Sequence, residues 1–245
     1  MKKEYNIETT SASLHIMAML FMLFDHLWGT IVPGQDWLTC IGRLAFPIFA
    51  FLIVEGYFHT KDFRKYLKRI FLFAILSEIP FNLAMGSRLF YPIHQNVLWS
   101  FLISLLLIHW NERTKAKNLW KRILVGVSSV LVAYFVGLLT FVDYHNAGIL
   151  MVLTFYFFHR RKWWDYIGQL VCMWYINVEI LSGFAYQFQF GGNTFFIARQ
   201  GLALLALIPI WLYQGNQGYH SKWFQYTCYV FYPLHLLILG IIKVL

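Results

Sequence analysis

Charged side chains are scarce in this sequence. Asp, Glu, Lys and Arg make up 13% of its 245 residues, against roughly 25% in an average soluble domain. Hydrophobic residues reach 59%, and they recur in apolar runs long enough to cross a bilayer core of about 30 Å. This composition excludes an ordinary soluble globule. It predicts a multi-pass protein of the cell (plasma) membrane, built as one transmembrane domain over residues 1–245.

Cysteines and metal-binding motifs are also scarce. Cys40, Cys172 and Cys228 are far apart in apolar segments and show no CxxC spacing. A disulfide framework and a zinc site are therefore not supported. The sequence has no HExxH motif, no Ser-His-Asp signature and no glycine-rich loop for phosphate. We expect no metal cofactor.

Nine apolar segments are candidate transmembrane helices, because a helix satisfies its own backbone hydrogen bonds in lipid. The predicted fold is therefore an all-α bundle of about nine helices. The sixth segment is short, so a count of eight stays open. The first segment lacks a small-residue cleavage site, and we expect it to be retained. The segments are about 14–32, 38–57, 66–86, 95–110, 122–141, 144–159, 163–183, 198–214 and 223–243.

The distribution of Lys and Arg predicts the orientation of these helices. Sixteen of the 20 basic residues fall in alternate connections, and cytoplasmic loops carry such an excess. The N-terminus is therefore predicted to be cytoplasmic. Because topology explains most of the net charge of +9, we expect no nucleic-acid partner. The sixteen residues are Lys2, Lys3, Lys61, Arg64, Lys65, Lys68, Arg69, Arg113, Lys115, Lys117, Lys121, Arg122, Arg160, Arg161, Lys162 and Lys222.

Polar side chains of several segments are predicted to converge in one layer under the extracytoplasmic surface, with depth counted at about 1.5 Å per residue. Ionisable residues inside a membrane usually face the bundle interior and form pairs, or line a functional cavity. The structural alternative is that Arg43 only neutralises Asp25 or Glu78. The size of the layer favours a buried functional site. Its members are Asp25, His26, Arg43, Glu78, Asn82, Asn96, Asp143, His145, Asn177, Glu179 and His235.

His26 is the candidate for proton transfer, since an imidazole titrates near neutral pH. A nearby carboxylate could fix its tautomer. Asp25 adjoins His26 in the sequence and points about 100° away on a helix, so Glu78 and Glu179 stay open as orienting partners. A permease would show paired halves or broken helices, and no convincing pair is visible.

Five stretches resemble the TraX family in order and spacing. They are FDH at 24–26, IGRLAFPIFAFLIVEGYFHT at 41–60, YLKRIFLFAILSEIPFNLA at 66–84, DYHNAGIL at 143–150 and FYPLHLLIL at 231–239. The resemblance covers nearly the whole chain. The best-known member of that family is implicated in N-terminal acetylation of conjugative pilin. The family is similar to wider transmembrane acyltransferases such as heparan glucosaminide N-acetyltransferase.

The resemblance implies an acyltransferase that moves an acetyl group from cytoplasmic acetyl-CoA to an amine or hydroxyl at the extracytoplasmic side. An intramembrane histidine would act as base or acyl carrier. Expected partners are the lipid bilayer, acyl-CoA as donor and an unidentified acceptor, a peptide amine or a glycan. The alternatives are a permease for a small polar solute and a non-catalytic membrane assembly factor.

Candidate residues follow from the polar layer and the resemblance together. The catalytic candidates are His26, Asp25, Arg43 and Glu78. The acceptor or oxyanion pocket is predicted at Asn82, Asn96, Asp143, His145, Glu179 and His235. The cofactor entrance is predicted at Glu55, Tyr57, His59, Lys61, Arg64, Lys65 and Arg69.

Overall fold

Helices dominate the computed structural model, which describes residues 8–114 and 118–245. A π-helical turn, Tyr175–Ile180, extends the eighth helix, and a 3₁₀-helix, Arg199–Ala206, leads into the ninth. The predicted all-α class is confirmed. The α-helices are α1 (Ser11–Thr30), α2 (Asp36–Gly42), α3 (Ala45–His59), α4 (Phe63–Gly86), α5 (Val97–Arg113), α6 (Leu119–Leu139), α7 (His145–Phe157), α8 (Trp163–Trp174), α9 (Leu207–Leu212) and α10 (Lys222–Val244).

Five helical segments in the described part of the chain are long and apolar enough to cross a membrane. They correspond to the predicted segments 14–32, 38–57, 66–86, 122–141 and 223–243, and they make this a membrane protein. In one of them, α2 and α3 act together as a single long segment. The five are Ser11–Thr30, Asp36–His59, Phe63–Gly86, Leu119–Leu139 and Lys222–Val244.

The other four predicted segments are helical but shorter or less regular. They correspond to α5, to α7, to α8 with its π-helical turn, and to the 3₁₀-helix with α9. The helix α7 has 13 residues, and most of its side chains are buried inside the bundle. The count of nine spans and the cytoplasmic N-terminus stay predictions. Of the basic residues behind them, Lys2, Lys3, Lys115 and Lys117 lie outside the described residues.

A β-hairpin occupies the connection between the π-helical turn and the 3₁₀-helix. Its strands, β1 (Ala185–Phe190) and β2 (Asn193–Ala198), pair antiparallel. Gly191 and Gly192 form the turn with φ of 59° and 81°, a backbone region that glycine adopts without strain. The sequence prediction assigned no strand here. The alternating AYQFQF, the Gly-Gly pair and the following NTFFIA carry the hairpin signal.

Three helices run side by side in the same direction and form the frame of the site. On α4 and α10, the rings of Phe73 and Tyr229 lie 5.3 Å apart between centroids. Nearer the other end of this pair, Gly240 packs so closely that a Cβ there would lie 2.9 Å from the Ala84 nitrogen. The helix α1 joins them through ring contacts with α10 at both ends. Because the three helices are parallel, the depth of a residue along one helix can be compared with the depth of a residue along another.

Candidate functional site

Two histidines from opposite ends of the sequence meet inside the bundle. Nδ1 of His26 on α1 lies 2.7 Å from Nε2 of His235 on α10. The two ring planes are within 4° of each other. The other nitrogen of the second ring, His235 Nδ1, lies 2.6 Å from the carbonyl oxygen of Phe231. The two rings and this carbonyl form a hydrogen-bonded row, which we call the histidine relay.

The carbonyl at the end of the relay fixes the tautomer of both neutral rings. A carbonyl oxygen only accepts, so His235 Nδ1 carries a hydrogen and His235 Nε2 is an acceptor. His26 must then donate from Nδ1, which leaves a lone pair on its Nε2. Among the described residues, no hydrogen-bond partner occupies that nitrogen. The arrangement presents His26 Nε2 as a base or nucleophile.

Asp25 forms a separate, mostly buried ion pair with Arg43. Its carboxylate also accepts a hydrogen bond of 2.7 Å from Thr39 Oγ1. Gly42 permits this approach, because a Cβ at that position would lie 2.5 Å from the Asp25 Cβ. In the described part of the chain, neither Asp25 nor the alternatives Glu78 and Glu179 orient the His26 imidazole. That partner is His235.

The guanidinium of Arg43 continues into a chain of amides that the sequence prediction saw only in part. Arg43 donates to Gln200 Oε1 over 3.2 Å, and Gln200 Nε2 donates to Asn177 Oδ1 over 3.0 Å. Asn177 was predicted in the polar layer, and Gln200 was missed. Nothing in the sequence marks Gln200, since its role depends on the 3₁₀-helix that carries it against α3.

Glu78 has different partners from those predicted. Its Oε1 accepts from the Asn96 side chain at 2.5 Å and from Trp99 Nε1 at 2.7 Å. The Asn96 amide also donates to the Ala74 carbonyl, and its oxygen caps the first turn of α5. Of the two acidic residues considered as partners of Arg43, Asp25 forms the ion pair and Glu78 belongs to a separate group. Glu78 and Asn96 tie α4 to the start of α5.

The remaining predicted pocket residues do not form a single group in the structure. Asn82 is buried, and its Oδ1 has no partner among the described residues. Asp143 lies 3.4 Å from Nε2 of His94, a residue that the sequence prediction did not select. His145 and Glu179 are exposed and do not join the buried groups.

A cavity of about 700 Å³ opens between α1, α3, α4 and α10, and we call it the main cavity. Its mouth is at the end of the bundle that carries the basic connections, where His59, Lys61 and Arg69 line it. Ser11 lines the mouth and Met22 the inner end, so its run along α1 is about 17 Å at about 1.5 Å per residue.

The inner end of the main cavity adjoins the histidine relay. Met22 lies one helical turn before His26 on α1, and Tyr232 lies three residues before His235 on α10. The ring centroid of Tyr232 is 6.4 Å from that of His26 and 5.9 Å from that of His235. A molecule that fills the main cavity from its basic mouth would end beside the relay.

The predicted entrance residues fall into two sets. Glu55, His59, Lys61 and Arg69 line the main cavity, whereas Tyr57, Arg64 and Lys65 do not. Tyr57 instead contacts His109, and Lys65 pairs with Asp62.

One partner of the buried Glu55, near this entrance, escaped the sequence prediction. Glu55 accepts a hydrogen bond of 2.7 Å from His159 Nε2. His159 lies 104 residues away in the sequence, in the connection after α7, and only tertiary packing brings it to Glu55. The described residues contain no cluster of His, Cys, Asp or Glu suited to hold a metal ion.

Comparisons with known proteins give a family and two curated relatives. The family described as TraX protein matches residues 10–243. The probable fimbrial assembly protein FimC, serogroup H1, of Dichelobacter nodosus is 30% identical over 112 residues, or 41% of this chain and 46% of that protein. Protein TraX of Escherichia coli is 24% identical over 150 residues, or 60% of this chain and 55% of that protein. The chain thus spans about half the length of these relatives. No solved structure matches it.

Proposed function

The chain belongs to the TraX family, and on that premise we propose that it is an acetyl-CoA-dependent membrane acyltransferase. The acceptor is an amine or hydroxyl on the extracytoplasmic side, and the name of the fimbrial assembly relative favours a subunit of a surface filament. The observation that carries the proposal is the main cavity, which runs from a basic mouth to an inner end, at Met22 and Tyr232, that adjoins the histidine relay. The proposal keeps the predicted nine-span topology with a cytoplasmic N-terminus.

The dimensions and charges of the main cavity suit an acyl-CoA. A pantetheine arm reaches about 15–20 Å by the arithmetic of extended chains, which matches the length of the cavity along α1. Lys61 and Arg69 at the mouth would face the phosphates of the cofactor. The deeper walls are apolar and aromatic, with Phe49, Val97 and Tyr232 near the inner end. The thioester would then lie next to the relay.

His26 Nε2 would remove the proton from the acceptor N–H or O–H as the acceptor attacks the thioester carbonyl carbon. A bond forms between the acceptor atom and the acetyl carbon. The carbon–sulfur bond breaks, its electron pair leaves on the CoA sulfur, and that thiolate takes up the proton. The alternative route places the acetyl group on His26 Nε2 first. Both routes need the same lone pair.

The proposed donor to the oxyanion is a buried N–H that has no other use in the described part of the chain. Arg43 Nε has no hydrogen-bond partner among the described residues, and a preorganised donor of this kind stabilises developing charge. The amide of Asn96, which the sequence prediction considered for this task, already donates its hydrogen bonds to Glu78 and Ala74. Arg43 is the better candidate.

Cys228 allows a direct test of the donor site, because it lines the main cavity whereas Cys40 and Cys172 do not. We expect acetyl-CoA to slow the reaction of Cys228 with a maleimide in a variant that keeps only this cysteine, Cys40→Ser with Cys172→Ser. The matched control keeps only Cys172, and its labelling rate should not respond. An unchanged Cys228 rate at saturating acetyl-CoA would refute the donor site.

A further inference from the structure

A second cavity, of about 390 Å³, lies around the C-terminal end of α4. We call it the outer cavity, because the predicted topology places it on the extracytoplasmic side. Asn82, Arg88, Tyr91 and His94 supply its polar lining.

The histidine relay lies between the levels of the two cavities. Phe73 on α4 faces Tyr229 on α10, and Ala84 faces Gly240. In both pairs the α10 residue number exceeds the α4 residue number by the same amount. The same difference in numbering places His235 beside Ile79. Asn82 is three residues beyond that level, about 4.5 Å along α4. Tyr232, at the inner end of the main cavity, is three residues before it. Along the helix axes, the main cavity therefore ends just before the level of the relay, and the outer cavity begins just beyond it.

The outer cavity offers one unpaired amide. Asn82 is 4% exposed, and its Oδ1 lacks a partner among the described residues. An unpaired buried amide oxygen is costly, and a ligand N–H or O–H would satisfy it. The terminal torsion of asparagine is broad, so the amide can turn its oxygen toward such a donor.

The charges around the outer cavity favour an anion. In the described part of the chain, Arg88 forms no ion pair. His94 Nε2 donates a hydrogen bond to Asp143, which raises the pKa of His94, and the protonated imidazole and the carboxylate together carry no net charge. The C-terminal end of a helix would repel an anion. Here Lys243 donates to the carbonyl of Ala84 over 2.8 Å and offsets that repulsion.

We propose that the outer cavity binds the acceptor, with Asn82 accepting a hydrogen bond from its reactive amine or hydroxyl and Arg88 holding an adjacent anionic group. The anion is a carboxylate or a phosphate. This assignment rests on the proposed acyltransferase function, since it explains how an acceptor approaches His26 from the side opposite to acetyl-CoA. It makes the protein selective for acceptors that carry a negative charge next to the nucleophile.

Equilibrium binding tests the assignment without requiring catalysis. Isothermal titration of the detergent-purified chain compares Ala-Asp-amide with the isosteric Ala-Asn-amide, and glycerol 3-phosphate with glycerol. We expect the charged member of at least one pair to bind about tenfold more tightly, which corresponds to roughly 1.4 kcal/mol. The peptide pair reports a carboxylate acceptor and the glycerol pair a phosphate acceptor.

Arg88→Gln should abolish this preference, and Arg199→Gln is the matched control. Arg199 carries the same charge on the same predicted side but stacks over Trp28 and does not line the outer cavity. Equal binding of charged and neutral members by the wild-type chain would overturn the assignment, and so would an equal loss in both variants. If the proposed acetyl-CoA site were wrong, acetyl-CoA would not protect Cys228 from the maleimide. That result is independent of the binding preference measured here, so a failure of the donor site can be distinguished from a failure of the acceptor site.

Discussion

His26 donates its Nδ1 hydrogen to Nε2 of His235 over 2.7 Å, although the two residues are 209 positions apart in the sequence. The pairing makes His235 a positioning residue. It holds the His26 ring in the tautomer whose free Nε2 can accept a proton or an acyl group. The Phe231 carbonyl fixes His235 in turn. The two rings therefore have different tasks: His26 reacts, and His235 positions it.

Replacement of His235 should slow acetyl transfer without weakening donor binding. His235→Leu removes the acceptor for His26 Nδ1, so the His26 tautomer is no longer fixed. We expect the rate of acetyl release to fall roughly 10²-fold or more, within the range for a disabled general base. Protection of Cys228 by acetyl-CoA should persist.

His235→Gln is the conservative comparison, because its side-chain oxygen can still accept from His26. It should retain most of the activity that His235→Leu loses. Equal losses in the two variants would indicate a packing role for His235 rather than a tautomer-fixing one.

Arg43→Leu should destabilise the protein, because it leaves the mostly buried carboxylate of Asp25 without its ion-pair partner. Breaking a buried pair costs about 3–5 kcal/mol. Thermal unfolding in detergent measures the effect. A second change, Asp25→Asn, should restore part of the loss, whereas Glu78→Gln should not, because Glu78 binds Asn96 and Trp99. Rescue by Glu78→Gln would contradict the separation of these two groups.

The pair of His94 and Asp143 should make stability depend on pH. Asp143 raises the folded-state pKa of His94, which is half-buried in the connection before α5. Its contribution is therefore fully present below the unfolded pKa of about 6.5 and is lost as the pH rises through the folded pKa.

The matching experiment compares the melting temperatures of the wild-type chain and His94→Gln at about pH 5.5 and about pH 8.5. The difference between the two proteins should be larger at the lower pH, and modest because solvent screens the pair. A difference that grows toward the higher pH would show that the protonated imidazole is not the stabilising form.

Apolar length and local pattern account for the part of this fold that the sequence predicts. The segments 14–32 and 66–86 correspond to Ser11–Thr30 and Phe63–Gly86, since long, predominantly apolar runs are the strongest signal of a membrane helix. The hairpin at Ala185–Ala198 was missed although its alternation and glycine turn are local features.

The pairing of polar groups is not a local property. The sequence placed His26, Asp25, Arg43 and Glu78 in one layer, but side-chain partners depend on which helices pack together. Parallel packing of α1 and α10 joins the two histidines, and the close approach of α4 and α5 takes Glu78 away from Arg43. The spacing of residues along the chain predicts neither of these two packing arrangements.

The role of His26 can be measured without knowing the acceptor, through release of radiolabelled acetyl from acetyl-CoA to water by the purified protein. We expect His26→Ala to lower this rate by roughly 10²–10⁴-fold while acetyl-CoA still protects Cys228. His109→Ala, which changes a histidine that contacts Tyr57 and does not line the main cavity, should behave like the wild type. Release by His26→Ala at the wild-type rate would contradict the account.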